Sequence, residues 1–165
     1  MDSAGWLAAH EYEMQLQAWK GGAMVPTPAR RVENMFSMRY LGDDDGPAPR
    51  LQDVILDDPL GLQLKVLRGV RGLAKAGVVH SDLSAFNILV LENEPWFIDF
   101  SEAIRVDRTG YSAWQRLDQA RSSLDKGMSA LGLYFRRYGL AMPWEHYVNE
   151  IVRSLDRNGV GSERE

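Results

Sequence analysis

Apolar positions along this chain change their spacing several times, and each change marks an element. Ser3 to about Lys20 reads as a helix that Ser3 can cap and Gly21-Gly22 stops. Trp6, Leu7, His10, Met14 and Trp19 give it a loose apolar face. Met24-Val25-Pro26-Thr27-Pro28 must then be extended, because each proline fixes its own φ and restricts the residue before it. Two short strands follow at Ala29–Val32 and Met35–Tyr40, turning at Glu33-Asn34. Gly42 to Pro49 (GDDDGPAP) is the best break in the chain and reads as a hinge or linker. Beyond it, Leu60, Gln63, Leu67, Val70, Leu73 and Ala74 recur at three- and four-residue steps. They predict a helix from about Pro59 to Ala76, ended by Gly77.

A compact unit comes next. Val78-Val79 reads as a short strand, His80–Asn87 as a polar loop and Ile88–Leu91 as a strand. Glu92-Asn93-Glu94-Pro95 turns the chain into a second strand, Trp96-Phe97-Ile98, which ends at Asp99. The remainder reads as helical: roughly Ser112 to Tyr138, interrupted or bent near Gly127 and Gly132, then Pro143 to Leu155. Ser162–Glu165 is expected to fray.

Composition narrows the function classes. Apolar residues at 45% and charged residues at 25% are an ordinary globular profile for 165 residues, enough for one core. With 19 basic against 23 acidic residues the net charge is −4, so the basic footprint of sequence-independent nucleic-acid binding is missing. Arg136-Arg137 reads as a solvated helix face. No cysteine is present, which excludes disulfides, thiolate nucleophiles and Cys-ligated zinc. No histidine pair has metal-ligand spacing. Neither a leader-like start nor an apolar run of roughly 20 residues appears, so the expectation is a soluble cytoplasmic protein with no membrane contact.

One segment carries chemistry. His80-Ser81-Asp82-Leu83-Ser84-Ala85-Phe86-Asn87 has the spacing H-x-D-x-x-x-x-N, and a hairpin then leads to Asp99. Phosphoryl transfer needs few groups, but it needs them fixed. A carboxylate must orient the attacking hydroxyl or water and accept its proton, a role Asp82 fits. A second carboxylate and a neutral oxygen must hold Mg²⁺ against the triphosphate, roles that Asp99 and Asn87 fit. A tight hairpin brings those two side by side. The plainer alternative makes Asp82 and Asn87 turn formers and Asp99 a strand end.

Residues 80–90, HSDLSAFNILV, resemble the catalytic loop of the RIO family of atypical protein kinases, in its Rio-one branch. Ile98-Asp99-Phe100-Ser101-Glu102-Ala103 is similar to that family's metal-binding loop. Met38-Arg39-Tyr40-Leu41-Gly42 and Ala48-Pro49-Arg50-Leu51 resemble its hinge and interlobe segment. Leu124-Asp125-Lys126 and Tyr134-Phe135-Arg136-Arg137-Tyr138-Gly139 resemble its last helices. The resemblance implies an α+β, protein-kinase-like, two-lobed fold and an ATP- and Mg²⁺-dependent Ser/Thr kinase or ATPase. It also implies a part in small ribosomal subunit maturation, with the pre-ribosomal particle as a partner. On that basis Asp82 is the catalytic base, and Asn87 and Asp99 hold metal. Asp99 is also the residue that family members phosphorylate transiently. Met38 and the backbone groups of Arg39 and Leu41 face the adenine edge, and Leu89 and Ile98 form the floor beneath it. His80 braces the loop.

The chain also departs from the pattern. Asp99 is followed by no D-F-G glycine and no A-P-E, so the peptide-docking platform is missing, and hydrolysis or self-phosphorylation fits better than peptide phosphorylation. Glu11 resembles the kinase helix glutamate, yet neither a glycine-rich loop nor a strand lysine precedes it. Lys20, Lys65, Lys75 and Lys126 all follow. The expected organisation is a remnant N-lobe with hinge over 1–42 and a mostly helical C-lobe over 43–165, with a partner chain able to supply the missing strands. Glu102 stands where the family has glutamine and is expected to face solvent. Phe86 stands where tyrosine is common and is expected to keep its packing. Two rival readings remain: a catalytically inactive binding module, and a small-molecule phosphotransferase of the aminoglycoside-kinase type.

Overall fold

The computed structural model describes residues 3–106 and 113–160. Helix α1 spans Ser3–Lys20, and the ribbon β1 (Pro28–Val32) with β2 (Met35–Met38) packs against it. The hairpin β3 (Gly42–Asp43) and β4 (Gly46–Pro47) leads through a 3₁₀ turn at Leu51–Asp53 to α2 (Pro59–Lys75). Strand β5 (Val78–Val79), the hairpin β6 (Ile88–Leu91) with β7 (Glu94–Phe97), and β8 (Ile104–Arg105) follow. The long helices α3 (Ala113–Arg136) and α4 (Trp144–Val160) close the chain. All four sheets among the described residues are two-stranded and antiparallel, so the helices, α2 above all, organise the core. The tail at Ser162–Glu165 and the expected helix start at Ser112 lie outside the described residues.

Helix α2 starts where Asp58 Oδ1 accepts the Gly61 N–H at 2.9 Å and Pro59 occupies the first turn. It stops at Gly77, whose φ of 80° an L side chain resists. Its Leu62, Val66, Leu67, Val70 and Leu73 are buried, whereas Leu60 lies on the exposed side. Phe97 of β7 and Phe135 of α3, both fully buried, share this core with Met14 and Ala18 of α1.

Three expectations needed correction. The buried face of α1 is Gly5, Ala8, Met14, Gln15 and Ala18, while Trp6 is 67% and Leu7 58% exposed. Small side chains let this helix approach closely, with His10 Nε2 reaching the Ala103 carbonyl at 2.8 Å. Helix α3 runs through Gly127 and Gly132 without a break. Those glycines make room for neighbours instead: a Cβ on Gly127 would stand 2.6 Å from Leu83 Cβ, and one on Gly132 would stand 3.0 Å from Trp144. Finally, the segment read as a linker is structured along its length. The Leu41 carbonyl accepts the Ala48 N–H, Pro49 accepts Val90 N–H, and Arg50 bridges to Leu89. Strand β8 was missed because two residues carry no periodicity; its partner β5 holds it.

Glycine 69 and glycine 72 of α2 allow a matched test. A Cβ on Gly69 would strike the Phe97 ring, whereas one on Gly72 meets nothing within 4 Å. Gly69→Ala is expected to destabilise by about 1–3 kcal/mol through overpacking. Gly72→Ala should stabilise by about 0.5–1 kcal/mol through helix propensity. Urea midpoints of the two variants check the contrast.

Candidate active site

The loop at 80–87 is held from several sides. His80 is buried, and its Nε2 donates to the Ile98 carbonyl at 2.7 Å while Nδ1 accepts the Asp82 N–H at 3.2 Å. Those partners assign the neutral tautomer with its proton on Nε2. Burial pushes the imidazole below its ordinary range, against the Ile98 hydrogen bond and the charges of Asp82 and Asp99. Its ring packs on Phe100 with centroids 5.0 Å apart. Leu83 drives into the space left by Gly127, and the Gln52 N–H ties the loop to the interlobe strap through the Ala85 carbonyl at 2.9 Å. The strap is in turn tied to α3 by the Tyr134 hydroxyl on the Leu51 carbonyl, 2.9 Å.

The hairpin then fixes Asn87 against Asp99. Glu92 and Asn93 take φ of 53° and 60°, the left-handed pair of a tight hairpin turn. That turn sets Ile88 opposite Phe97, and the Ile98 N–H donates to the Asn87 carbonyl at 3.0 Å. Asn87 Nδ2 donates to the Asp82 carbonyl at 2.9 Å and to Asp82 Oδ2 at 3.1 Å, so its amide oxygen is the end left for a ligand. Asp99 adopts φ 63°, a left-handed conformation that Asp tolerates better than most residues, and Ser81 adopts φ 68°. Asp99 Oδ1 accepts the Ser101 hydroxyl at 2.6 Å.

Asp82, Asn87, Ile98 and Asp99 are therefore brought together by direct bonds or chain adjacency. Asp82 is exposed, and Asn87, Ile98 and Asp99 are half-buried. Of the other expected residues, Leu89 lies two positions after Asn87 on β6, and Leu41 reaches that hairpin through the strap. The Arg39 N–H is consumed by the Thr27 carbonyl and the Leu41 carbonyl by Ala48. The Arg39 carbonyl and the Leu41 N–H are among the hinge groups left without a backbone partner among the described residues. Met38 Sδ lies 3.6 Å from Gln15 Nε2, and half-buried Leu89 pairs with Trp96. Glu102 is exposed as expected, and Phe86 is 53% exposed and lies outside the core cluster. A cavity of ≈ 390 Å³ between α3 and α4, lined by Asp118, Arg121, Asp125, Glu145 and Asn149, contains none of these residues.

Two neighbours add to the site. Burial raises the Glu11 carboxyl above its ordinary range, helped by the Asp99 charge and opposed by the Phe100 N–H and His10. Glu11 makes no ion pair among the described residues. Ser101 was not picked out from the sequence, although a hydroxyl residue two positions after a strand-end Asp is the signature of a side-chain turn. Among the described residues no three acidic or histidine side chains gather into a metal cage. One carboxylate and one amide oxygen still suit Mg²⁺, which fills its remaining positions with water and phosphate oxygens.

Residues 3–147 match the family model described as the RIO domain. The chain belongs to the RIO family. It is 30% identical over 116 residues to the RIO-type serine/threonine-protein kinase Rio1 of Thermoplasma acidophilum, covering 70% of this chain and 56% of that one. It is 33% identical over 98 residues to human serine/threonine-protein kinase RIO1, covering 58% of this chain and 17% of that protein. Among solved structures, the Rio2 kinase-ADP/Mg²⁺-phosphoaspartate complex from Chaetomium thermophilum superimposes with a TM-score of 0.68 at 19% identity. That match covers 97% of this chain and 51% of that one, and establishes the kinase-like fold. The RIO chain described here thus spans about half the length of these two relatives, the archaeal Rio1 and the fungal Rio2. Its upper part holds a helix and a two-stranded ribbon, and no further strand pairs with that ribbon among the described residues.

The depressed pKa of His80 has a signed consequence. The unfolded state takes up a proton below its ordinary value near 6.5, while the folded state resists it. The stability contribution is complete above that value and is lost as pH falls through the window beneath it. Urea midpoints between pH 7.5 and 5.5 should fall in the parent chain. His80→Gln, which keeps a donor for Ile98, should show a flatter profile.

Proposed function

We propose that this chain is an ATP- and Mg²⁺-dependent phosphoryl-transfer protein of RIO type, a Ser/Thr kinase or ATPase. The observation that supports it is the bonded set Asp82–Asn87–Ile98, which places one carboxylate, one amide oxygen and then Asp99 at adjacent strand ends. Asp82 is exposed and accepts a hydrogen bond from Asn87, which suits a base that orients an attacking hydroxyl or water. The amide oxygen of Asn87 and a carboxylate oxygen of Asp99 would hold Mg²⁺. Bound there, the ion would neutralise charge on the phosphates. The Arg39 carbonyl and Leu41 N–H would pair with the adenine edge beside Met38, and Leu89 and Ile98 would lie beneath the ring. Asp99 is the residue that would carry phosphate transiently, as an aspartate does in the Rio2 complex.

Residues 1–42 act in this reading as the upper lobe with its hinge, and 43–165 as the lower lobe. Glu11 awaits a cationic partner from a strand added beside β2, supplied by another segment or chain. Maturation of the small ribosomal subunit is the setting that family membership favours. A second reading, a nucleotide-independent binding module, draws on Glu11, which makes no ion pair among the described residues.

Calorimetry of Mg²⁺-ATP on the chain and on Asp99→Asn is the direct test. Binding that requires magnesium and weakens at least tenfold in the variant is the expected result. Absence of binding to either supports the module reading. Where turnover is measurable, Asp82→Asn should keep nucleotide affinity and lower kcat by roughly 10²–10⁴-fold, the range for a lost general base.

A further inference from the structure

The two oxygens of Asp99 are not equivalent. Oδ1 accepts the Ser101 hydroxyl at 2.6 Å and the Ser101 N–H at 3.3 Å, and Oδ2 has no hydrogen-bond partner among the described residues. A distance of 2.6 Å belongs to the short, charge-assisted class. The left-handed φ of 63° at Asp99 accompanies the turn that brings both the N–H and the hydroxyl of Ser101 to Oδ1. No hydrogen bond joins Glu11 to Asp99 among the described residues, which leaves Oδ1 to Ser101.

We infer that Ser101 is a positioning residue for a phosphoryl group carried on Asp99, directing it to Oδ2 and stabilising the carboxylate when it leaves. The inference rests on the reading of Asp99 as a transient phosphoryl acceptor. In loading, an Oδ2 lone pair forms the bond to phosphorus while the bond from phosphorus to the donor's bridging oxygen breaks, and the donor leaves with that pair. The product is an acyl phosphate whose carbonyl oxygen is Oδ1. In discharge, a water oxygen bonds to phosphorus and the Oδ2–phosphorus bond breaks. Its electron pair returns to the carboxylate, inorganic phosphate departs, and the surplus proton passes to solvent. Negative charge grows on Oδ1 during this step, where two donors from Ser101 already stand, so no reorganisation is needed. Commitment of Oδ1 also leaves a single oxygen able to attack.

The same bonds could hold the turn and do nothing more, and the two roles separate by experiment. The purified chain is incubated with acetyl phosphate and Mg²⁺, a donor that needs no adenine site. The donor is removed, and loss of the phosphoryl mass increment is followed by intact-protein mass spectrometry. Asp99→Asn should take no label. Ser101→Ala and, as a second hydroxyl-free variant, Ser101→Gly should hold the label roughly 10- to 100-fold longer than the parent. Ser101→Thr should restore the parent rate. A pure turn role changes the urea midpoint and leaves the label's lifetime untouched, and that outcome overturns the inference. So does absence of label on Asp99, or label that persists in Asp99→Asn. If ATP fails to bind while acetyl phosphate loads Asp99 and the lifetimes follow this order, the nucleotide reading falls and the role of Ser101 stands.

Discussion

The peptide of Ile98 is gripped from both sides, and the geometry of the site follows from that grip. Its N–H is taken by the Asn87 carbonyl and its carbonyl by the buried His80 ring. One residue thereby joins the start of the loop, the end of the loop and the approach to Asp99. A buried carbonyl without its donor loses on the order of 1–3 kcal/mol. His80 therefore stays neutral and in place, and a charged ring would have to lose its hydration to remain there. The remaining contacts, Leu83 on Gly127 and Gln52 on Ala85, support a loop whose ends are already fixed.

Electrostatic balance in the upper part of the site is lopsided. Asp82, Asp99 and Glu11 bring acidic charge together, and the described residues answer with hydroxyl, amide and backbone donors and the His10 ring, not with a lysine or arginine ion pair. Such an arrangement suits a protein that completes its charge balance with a metal–phosphate ligand. Glu11 is more basic than usual, first through its burial and then through the Asp99 charge. Preorganised dipoles around Asp99 orient it without cancelling its charge, so attraction for a cation is kept.

Much of this was legible in the sequence, for physical reasons that can be named. The hairpin 88–97 announced itself by apolar runs on either side of Glu92-Asn93, and the spacing of Asp82, Asn87 and Asp99 fixed their proximity once that hairpin existed. Helix α2 was legible because its apolar stripe is continuous. The face of α1 was not, since its contacts use the small Ala8 and Ala18 and the polar Gln15, and no stripe of large apolar residues marks them. Gly127 and Gly132 look like breaks in a string of letters, yet serve as sockets once Leu83 and Trp144 arrive. The role of Ser101 depends on a left-handed residue two positions earlier, and no periodicity encodes that.

The ribbon β1–β2 has a colloidal consequence. Each of its strands has one unpaired edge among the described residues, and Val32 and Met35 lie exposed across from each other. Such a ribbon is a template for its own copies. Arg30 and Arg31, both exposed, place like charges along the edge where a second ribbon would dock. This protection is electrostatic and not steric, so its range shrinks from about 10 Å at 0.1 M salt to about 3 Å at 1 M. The protein should therefore stay dispersed most easily in dilute buffer, and concentrated salt should favour self-association of the ribbon.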